Sequence, residues 1–177
     1  MLEILCGSSA FAAGDQFKMN INISGTVVAT GSCTFTHKDS SGWDVIDFGN
    51  VRYSTVNGFV LEGTYRQNMD GAMTCTGDTE GTAEMTLTPL GSGDTVEFNG
   101  HKLIAVPMSG SSGSSISKNL GIALLVNGNV QDVATPFQID IASPPGLAVE
   151  LVQTGAADTV ASGTRFAASA ALTMTFQ

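Results

Sequence analysis

The C-terminal stretch Phe166–Gln177 has the sequence FAASAALTMTFQ, and its larger apolar residues fall on every second position. Successive side chains of a β-strand point to opposite faces of the sheet, so period-two alternation is typical of a strand with one buried face. The stretch therefore predicts a long C-terminal strand. Its apolar face consists of Phe166, Ala168, Ala170, Leu172, Met174 and Phe176.

A second segment with period two lies near the N-terminus, where residues 19–28 have the sequence MNINISGTVV. Every second side chain is apolar except one, which is replaced by a glycine in the same phase. A glycine within a strand allows another backbone to approach closely, or marks a bulge. The segment predicts a strand whose inward positions are Met19, Ile21, Ile23, Gly25 and Val27.

Between these two ends, short apolar runs alternate with turn residues. The 177 residues include 21 glycines and only five prolines, and no stretch keeps a helical period over three turns. Many short strands separated by turns favour an all-β sandwich in a single domain, with a barrel as the alternative. Strands are expected at Trp43–Val51, Thr82–Thr88, Gly121–Val126, Phe137–Ile141 and Leu147–Val152, and the very apolar Gly121–Val126 is expected to be central.

Two of the three Asn-Gly pairs in the sequence predict tight turns. Asn99-Gly100 lies between short apolar runs and predicts a two-residue hairpin, and Asn127-Gly128 predicts a turn after the central strand. Ser109–Ser117, with the sequence SGSSGSSIS, is of low complexity, and its polar composition predicts a flexible surface loop.

The cysteines indicate an exported chain with one disulfide. Residues 1–12 are similar to the tail of a secretory signal peptide, because Ala10 and Ala12 are small residues suited to cleavage after Ala12. Removing that remnant also removes Cys6 and leaves Cys33 and Cys75, which an oxidising compartment would join. A metal or redox pair is the weaker alternative, because the sequence has no C-x-x-C motif.

Charge and motifs argue against several functional classes. The net charge of −9 disfavours nucleic acid and anionic membranes as partners, and no apolar run is long enough for a spanning helix. No catalytic motif, P-loop or dinucleotide fingerprint is present, and His37 and His101 lie far apart in sequence. We therefore expect no catalytic residues, no metal site, no cofactor and no enzymatic activity.

An ordered set of features resembles the pilus subunits of the bacterial chaperone–usher pathway. A signal-like start and a short apolar extension precede Gly31-Ser32-Cys33, and the segment Ile46–Val51 (IDFGNV) resembles a strand of that family. Cys75 lies near the end of a predicted strand, and the alternating C-terminus has an aromatic residue next to last, as in the family. The chain departs from the family at Thr164, where a glycine is common.

The resemblance implies an incomplete immunoglobulin-like β-sandwich, the pilin fold, which a donor strand from another chain completes. Residues 1–12 would be the signal-peptide remnant, residues 13–29 the N-terminal donor-strand extension and residues 30–177 a single pilin domain. The inward positions from Met19 to Val27 would be the donor side chains. The alternating positions from Phe166 to Phe176 would form the groove wall and the strand that contacts the chaperone.

The function implied by the resemblance is that of a structural subunit of an adhesive pilus, or fimbria. Its expected partners are neighbouring pilus subunits, a periplasmic chaperone and an outer-membrane usher, and its expected location is the fimbrium at the cell surface. The extension favours a position within the fibre. We expect a minor or adaptor subunit there, although no residue pattern separates this from a rod subunit. A major rod pilin and a glycan-binding tip adhesin are the alternatives.

Overall fold

The computed structural model describes residue 24 and residues 32–35, 45–54, 60–69, 73–77, 81–91, 93–110, 113–155 and 162–176. Regular structure in these ranges consists of fourteen β-strands. The first seven are β1 Ser32–Phe35, β2 Tyr53–Ser54, β3 Val60–Leu61, β4 Tyr65–Asn68, β5 Met73–Thr76, β6 Thr82–Pro89 and β7 Thr95–Phe98. The others are β8 His101–Gly110, β9 Gly113–Val126, β10 Asn129–Gln131, β11 Phe137–Asp140, β12 Leu147–Gln153, β13 Arg165–Phe166 and β14 Ala170–Phe176.

Seven of these strands form the larger sheet. Its main path has the order β13-β8-β9-β12-β4, while β7 pairs with β8 and β10 pairs with β9. The pairings are antiparallel, and β9 lies between β8 and β12. The prediction that Gly121–Val126 belongs to a central strand is therefore confirmed.

A three-stranded sheet with the order β11-β6-β14 forms the second main layer. Along β6, the apolar residues Ala83, Met85 and Leu87 are buried, and the residues between them are more exposed. This period-two burial is what the sequence of Thr82–Thr88 predicts. Two small sheets, β1-β5 and β2-β3, complete the described strands.

One core cluster joins the two main sheets. The buried residues of β6 pack with residues of β8, β9 and β12 and of the β11 region, namely Ile104, Leu124, Val126, Leu147, Ile139, Ile141 and Val133. Two separate sheets that share one apolar layer make a sandwich-like, all-β arrangement, as the sequence predicts. In the described part of the chain, no helix has the length and apolar character needed to cross a membrane.

The two predicted turns, at Asn99-Gly100 and Asn127-Gly128, both form. Phe98 pairs with His101 across Asn99-Gly100, and Val126 pairs with Asn129 across Asn127-Gly128. Both central residues of each turn have positive φ angles, between 50° and 82°. That geometry belongs to the two-residue turns whose twist matches that of the flanking strands.

The expectation of a flexible loop at Ser109–Ser117 is wrong. β8 and β9 continue their pairing through this segment, with Met108 opposite Ser115 and Gly110 opposite Gly113. Ser117 is buried, and its Oγ accepts hydrogen bonds from the amides of Asn119 and Leu120 at 3.2 and 3.1 Å. Backbone pairing with an adjacent apolar strand stabilises the segment despite its polar composition.

The strand predicted at Trp43–Val51 is also absent from the described part of that segment, Val45–Val51. The carboxylate of Asp47 accepts a hydrogen bond from the amide of Gly49 at 2.8 Å, and Gly49 has a φ of 64°. This local turn competes with the extended conformation. Phe48 nevertheless packs against the second core cluster, which contains Val106, Met108, Leu120 and Leu151.

Close packing across the large sheet generates a test at Gly121. A Cβ atom there would lie 2.9 Å from Cγ1 of Val96 and 3.1 Å from Cδ1 of Leu103. Overpacking of this kind should lower the free energy of unfolding of Gly121→Ala by about 1–3 kcal/mol. Urea unfolding measures the effect, with Gly146→Ala as the control, because a Cβ there meets only Oδ1 of Asn127 at 3.8 Å. Equal stability of the two variants would contradict the packing.

Candidate functional site

Strand β14 lies at one margin of the three-stranded sheet. It pairs with β6 along all seven of its residues, from Ala170 opposite Pro89 to Phe176 opposite Ala83. No strand among the described residues pairs with its other side. We call that side, along Ala170–Phe176, the open edge.

The hydrogen bonds between β6 and β14 determine which backbone groups face the open edge. The amide of Leu90 donates to the carbonyl of Ser169 at 2.8 Å, so the adjacent pair, Ala170 and Pro89, is not hydrogen-bonded. Pro89 has no N–H to donate and fits such a position. Because bonded and non-bonded pairs alternate, the outward N–H and C=O groups belong to Ala170, Leu172, Met174 and Phe176.

The same four residues turn their side chains toward the core. Each is half-buried and packs against the core cluster that contains Met85, whereas Thr173 and Thr175 are exposed. An additional strand would therefore find, along one line, partly covered apolar side chains and backbone groups that no described strand pairs with. This combination suits pairing with an extended segment.

The opposite margin of the sheet, β11, is less suited to strand addition. It spans only four residues, and Asp140 ends it by accepting a hydrogen bond from the amide of Ala142 at 2.9 Å. Its inward side chain Ile139 is only 5% exposed and is therefore already buried. On β11 only Phe137 is a half-buried apolar residue over the core, whereas β14 has four such residues along its length, so β14 has more apolar surface left to bury.

The predicted disulfide is confirmed: Cys33 of β1 is bonded to Cys75 of β5. The two cysteines are direct cross-strand partners, and both pack against the same core cluster as β14. The bond closes a loop between positions 42 residues apart and fixes the β1-β5 pair beside the core.

The predicted C-terminal strand divides into two. Phe166 belongs to β13, which pairs with β8 in the larger sheet, and its ring lies 6.4 Å from that of Phe48 in the second core cluster. Ala168 lies between the two strands and packs against the main core, as do the alternate residues of β14. The expectation of one continuous strand is therefore wrong: Phe166 lies apart, and the other five predicted positions share one cluster.

The predicted donor positions, namely Met19, Ile21, Ile23, Gly25 and Val27, lie outside the described residues, as does the signal-like segment 1–12. Within the extension 13–29, the structure describes only Ser24, which is exposed.

A histidine–carboxylate pair lies at the start of β8. Nδ1 of His101 is 3.1 Å from Oδ1 of Asp132, and the same oxygen accepts a hydrogen bond from the amide of Lys102 at 2.9 Å. The next residue, Val133, is buried and donates its amide to the carbonyl of Lys102 at 2.9 Å. Asp132 thus fastens the segment after β10 onto β8. Sequence spacing did not predict this contact, because the partners are 31 positions apart.

A cleft of about 440 Å³ lies between the end of β4 and two turns. It is lined by Arg66 and Asn68, the Asn127-Gly128 turn and residues 144–148. The Arg66 guanidinium is paired with Glu150, with Nη2 and Oε2 2.7 Å apart, so its charge is already balanced within the sheet. Among the described residues, no three His, Cys, Asp or Glu side chains are grouped as a metal ion would require.

No known family model matches the chain, and no curated protein is significantly similar to it in sequence. The open edge is therefore judged by its own geometry. It combines outward backbone groups, apolar side chains over the main core and no paired strand on that side among the described residues.

The contacts of Asp132 generate a pH-dependent test. The hydrogen bond from the Lys102 amide, followed by the contact with His101, lowers the pKa of Asp132 below its ordinary value of 3.8. A lowered pKa in the folded state stabilises the fold above about pH 4, and this stability is lost as the pH falls through the folded-state value. Because the side chain is partly exposed, Asp132→Asn should lose less than about 1 kcal/mol at pH 7.

Urea unfolding between pH 7 and pH 3 measures this difference. The stabilities of wild type and Asp132→Asn should approach each other toward the acid end, as the wild-type carboxylate becomes protonated. Asp94→Asn, at an exposed position, is the control and should differ little from wild type at either pH. A difference for Asp132→Asn that stayed constant down to pH 3 would contradict the assigned contacts.

Proposed function

We propose that this chain is a structural, non-enzymatic subunit of a bacterial adhesive pilus that polymerises by donor-strand exchange. The observation that carries the proposal is the open edge of β14, where apolar side chains over the core are only half-buried. In the proposed role, a periplasmic chaperone strand first covers this edge. At the outer-membrane usher, the N-terminal extension of the next subunit takes its place.

Strand addition at this edge is energetically plausible. Burying the donor side chains Met19, Ile21, Ile23 and Val27 would contribute about 1.5–3 kcal/mol each, or about 6–12 kcal/mol before losses. New backbone hydrogen bonds would add to this, and ordering the extension would subtract from it. Gly25 would allow the donor backbone to lie close to the groove floor.

The disulfide supports an exported subunit. Cys33 and Cys75 are bonded, which fits an oxidising compartment such as the periplasm. In the proposed division of the chain, Cys33 lies just after the donor extension 13–29, near the start of the pilin domain 30–177. The bond would then fix the first strand of that domain next to the core that the open edge borders.

A position within the fibre fits this chain best, and within it we propose a minor or adaptor subunit, with a major rod pilin as the alternative. A subunit that both donates and accepts a strand needs an extension and an open edge, and the proposal assigns 13–29 and β14 to these two roles. A tip adhesin would need only the acceptor. The fimbrium at the cell surface is the corresponding location.

The outward amide of Ala170 offers a test of the open edge. Ala170→Pro removes an N–H that β6 does not use and places the proline ring where a new strand would pair, at the first residue of β14. The variant should keep near wild-type stability, but it should bind a labelled synthetic peptide of residues 13–28 at least about tenfold more weakly. Fluorescence anisotropy measures the binding, and urea unfolding measures the stability.

Ala171→Pro is the matched variant. In the derived register the Ala171 amide bonds to Thr88 of β6, so proline there should destabilise the fold by about 1–3 kcal/mol. If Ala170→Pro destabilised the chain as much as Ala171→Pro, the assignment of outward groups would be wrong. If wild type did not bind the peptide at all, the proposed function would be wrong.

The donor segment is tested through its two faces. Peptides of residues 13–28 that carry Ile21→Asp or Ile23→Asp should bind the chain at least about tenfold more weakly than the unaltered peptide, because a buried isoleucine contributes about 1.5–3 kcal/mol. Asn20→Asp and Asn22→Asp are the controls, since those positions face the other way along a strand.

Deleting residues 13–28 from the chain should abolish its assembly into multimers, measured by light scattering, while chaperone binding persists. Equal effects on both faces, or undiminished assembly, would refute the donor assignment.

A further inference from the structure

Met174 lies in the middle of the open edge. Its side chain is half-buried and packs against the main core cluster. Across the ladder it faces Met85 of β6, which is 0% exposed. The derived alternation makes this a pair without mutual hydrogen bonds, in which side chains approach each other most closely. The side chain of Met174 is therefore partly accessible, whereas that of its cross-strand neighbour Met85 is not.

The other described methionines provide an internal comparison. Met69 and Met73 are also half-buried and pack against the same core cluster, but they line the cleft beside β4. Met85 and Met108 are buried, at 0% and 8% exposure. Among the described methionines, Met174 is therefore the one that is both partly accessible and part of the open edge.

We infer that Met174 is a modification site, at which oxidation to the sulfoxide closes the open edge to an incoming strand. In the reaction with hydrogen peroxide, the thioether sulfur attacks one peroxide oxygen. The S–O bond forms, the O–O bond breaks and the second oxygen leaves as water after proton transfer. Sulfur loses two electrons and peroxide gains them, so no further reactant is needed. The effect on strand capture rests on the proposed function.

The surroundings of Met174 explain why the sulfoxide would matter. Its neighbours on the inward face are Met85 across the ladder and Leu172 and Phe176 along β14, all of which are apolar. A strand laid over the open edge would bury the new S=O group among side chains that offer it no hydrogen-bond donor. Burying an unsatisfied polar group is unfavourable, so oxidised chain should bind a strand at least about tenfold more weakly.

The order of events follows from the same geometry. Before a strand is added, the Met174 side chain is partly accessible and can be oxidised. After addition, the strand covers it, and oxidation should slow. After exposure to peroxide, an open edge would thus bind strands more weakly. An edge already covered by a strand would be protected from oxidation.

Peptide mapping by mass spectrometry tests the site. The full chain is treated with hydrogen peroxide, with and without an excess of the synthetic peptide of residues 13–28 that carries Met19→Leu, so that the peptide itself consumes no peroxide. Without the peptide, Met174 should oxidise faster than Met85. With the peptide present, Met174 should oxidise at least about fivefold more slowly than it does without it. Met69 and Met73, in the cleft, should oxidise at the same rate in both cases. Met174 oxidation as slow as that of Met85 in the free chain would overturn the inference.

Binding of the labelled peptide then tests the consequence. Oxidised wild type should bind at least about tenfold more weakly than reduced wild type, and methionine sulfoxide reductase should restore binding. Met174→Leu, which conserves volume, should bind the peptide and keep that binding after peroxide treatment. Loss of binding in oxidised Met174→Leu as large as in wild type would place the sensitive residue elsewhere and overturn the inference.

The two proposals fail in different ways. Absence of peptide binding by reduced wild type would refute the proposed function, whereas the mapping of Met174 against Met85 in the free chain would remain a direct test of the oxidation site. Peptide binding that is strong and unaffected by oxidation of Met174 would refute the inference and leave the proposed function intact.

Discussion

The burial of alternate residues of β6 against the larger sheet is the interaction on which the rest of the structure depends. Met85, at the centre of this strand, is fully buried in the cluster that joins the two main sheets. Among the described strands, β11 and β14 pair only with β6, so its ladder fixes their positions over the core. Any loss of packing at β6 would therefore release both margins of the smaller sheet.

The apolar layer extends onto β14, where the described sheets only partly cover it. At the same level of the ladder, Met85 and Leu87 on β6 are buried, whereas Met174 and Leu172 on β14 are only half-buried. Solvated margins of a sheet commonly carry charged or otherwise protective residues. Here the alternation of apolar residues persists to Phe176, with outward backbone groups at the same positions. The sequence of β14 is thus that of an inner strand placed at a margin.

Local patterns in the sequence were enough to predict the strands with clean alternation, the two Asn-Gly turns and the disulfide. The failures arise where a nonlocal or side-chain contact decides the outcome. The serine-rich segment Ser109–Ser117 is held by pairing between β8 and β9, and the strand expected around Phe48 is replaced by the turn between Asp47 and Gly49. The split between Phe166 and β14 follows from pairing with two different sheets, which alternation alone cannot distinguish.

In the proposed role, stability and strand capture would be coupled. A strand that binds only the folded chain stabilises it by an amount that grows with the ratio of its concentration to its dissociation constant. Part of the folding free energy would then be measured as binding free energy, because covering Leu172 and Met174 completes the burial that β6 begins. The net charge of −9 disfavours other contacts between copies of this chain, since acidic surfaces repel one another. If a strand pairs with β14 as proposed, that pairing would rest on apolar complementarity and backbone hydrogen bonds along a single edge.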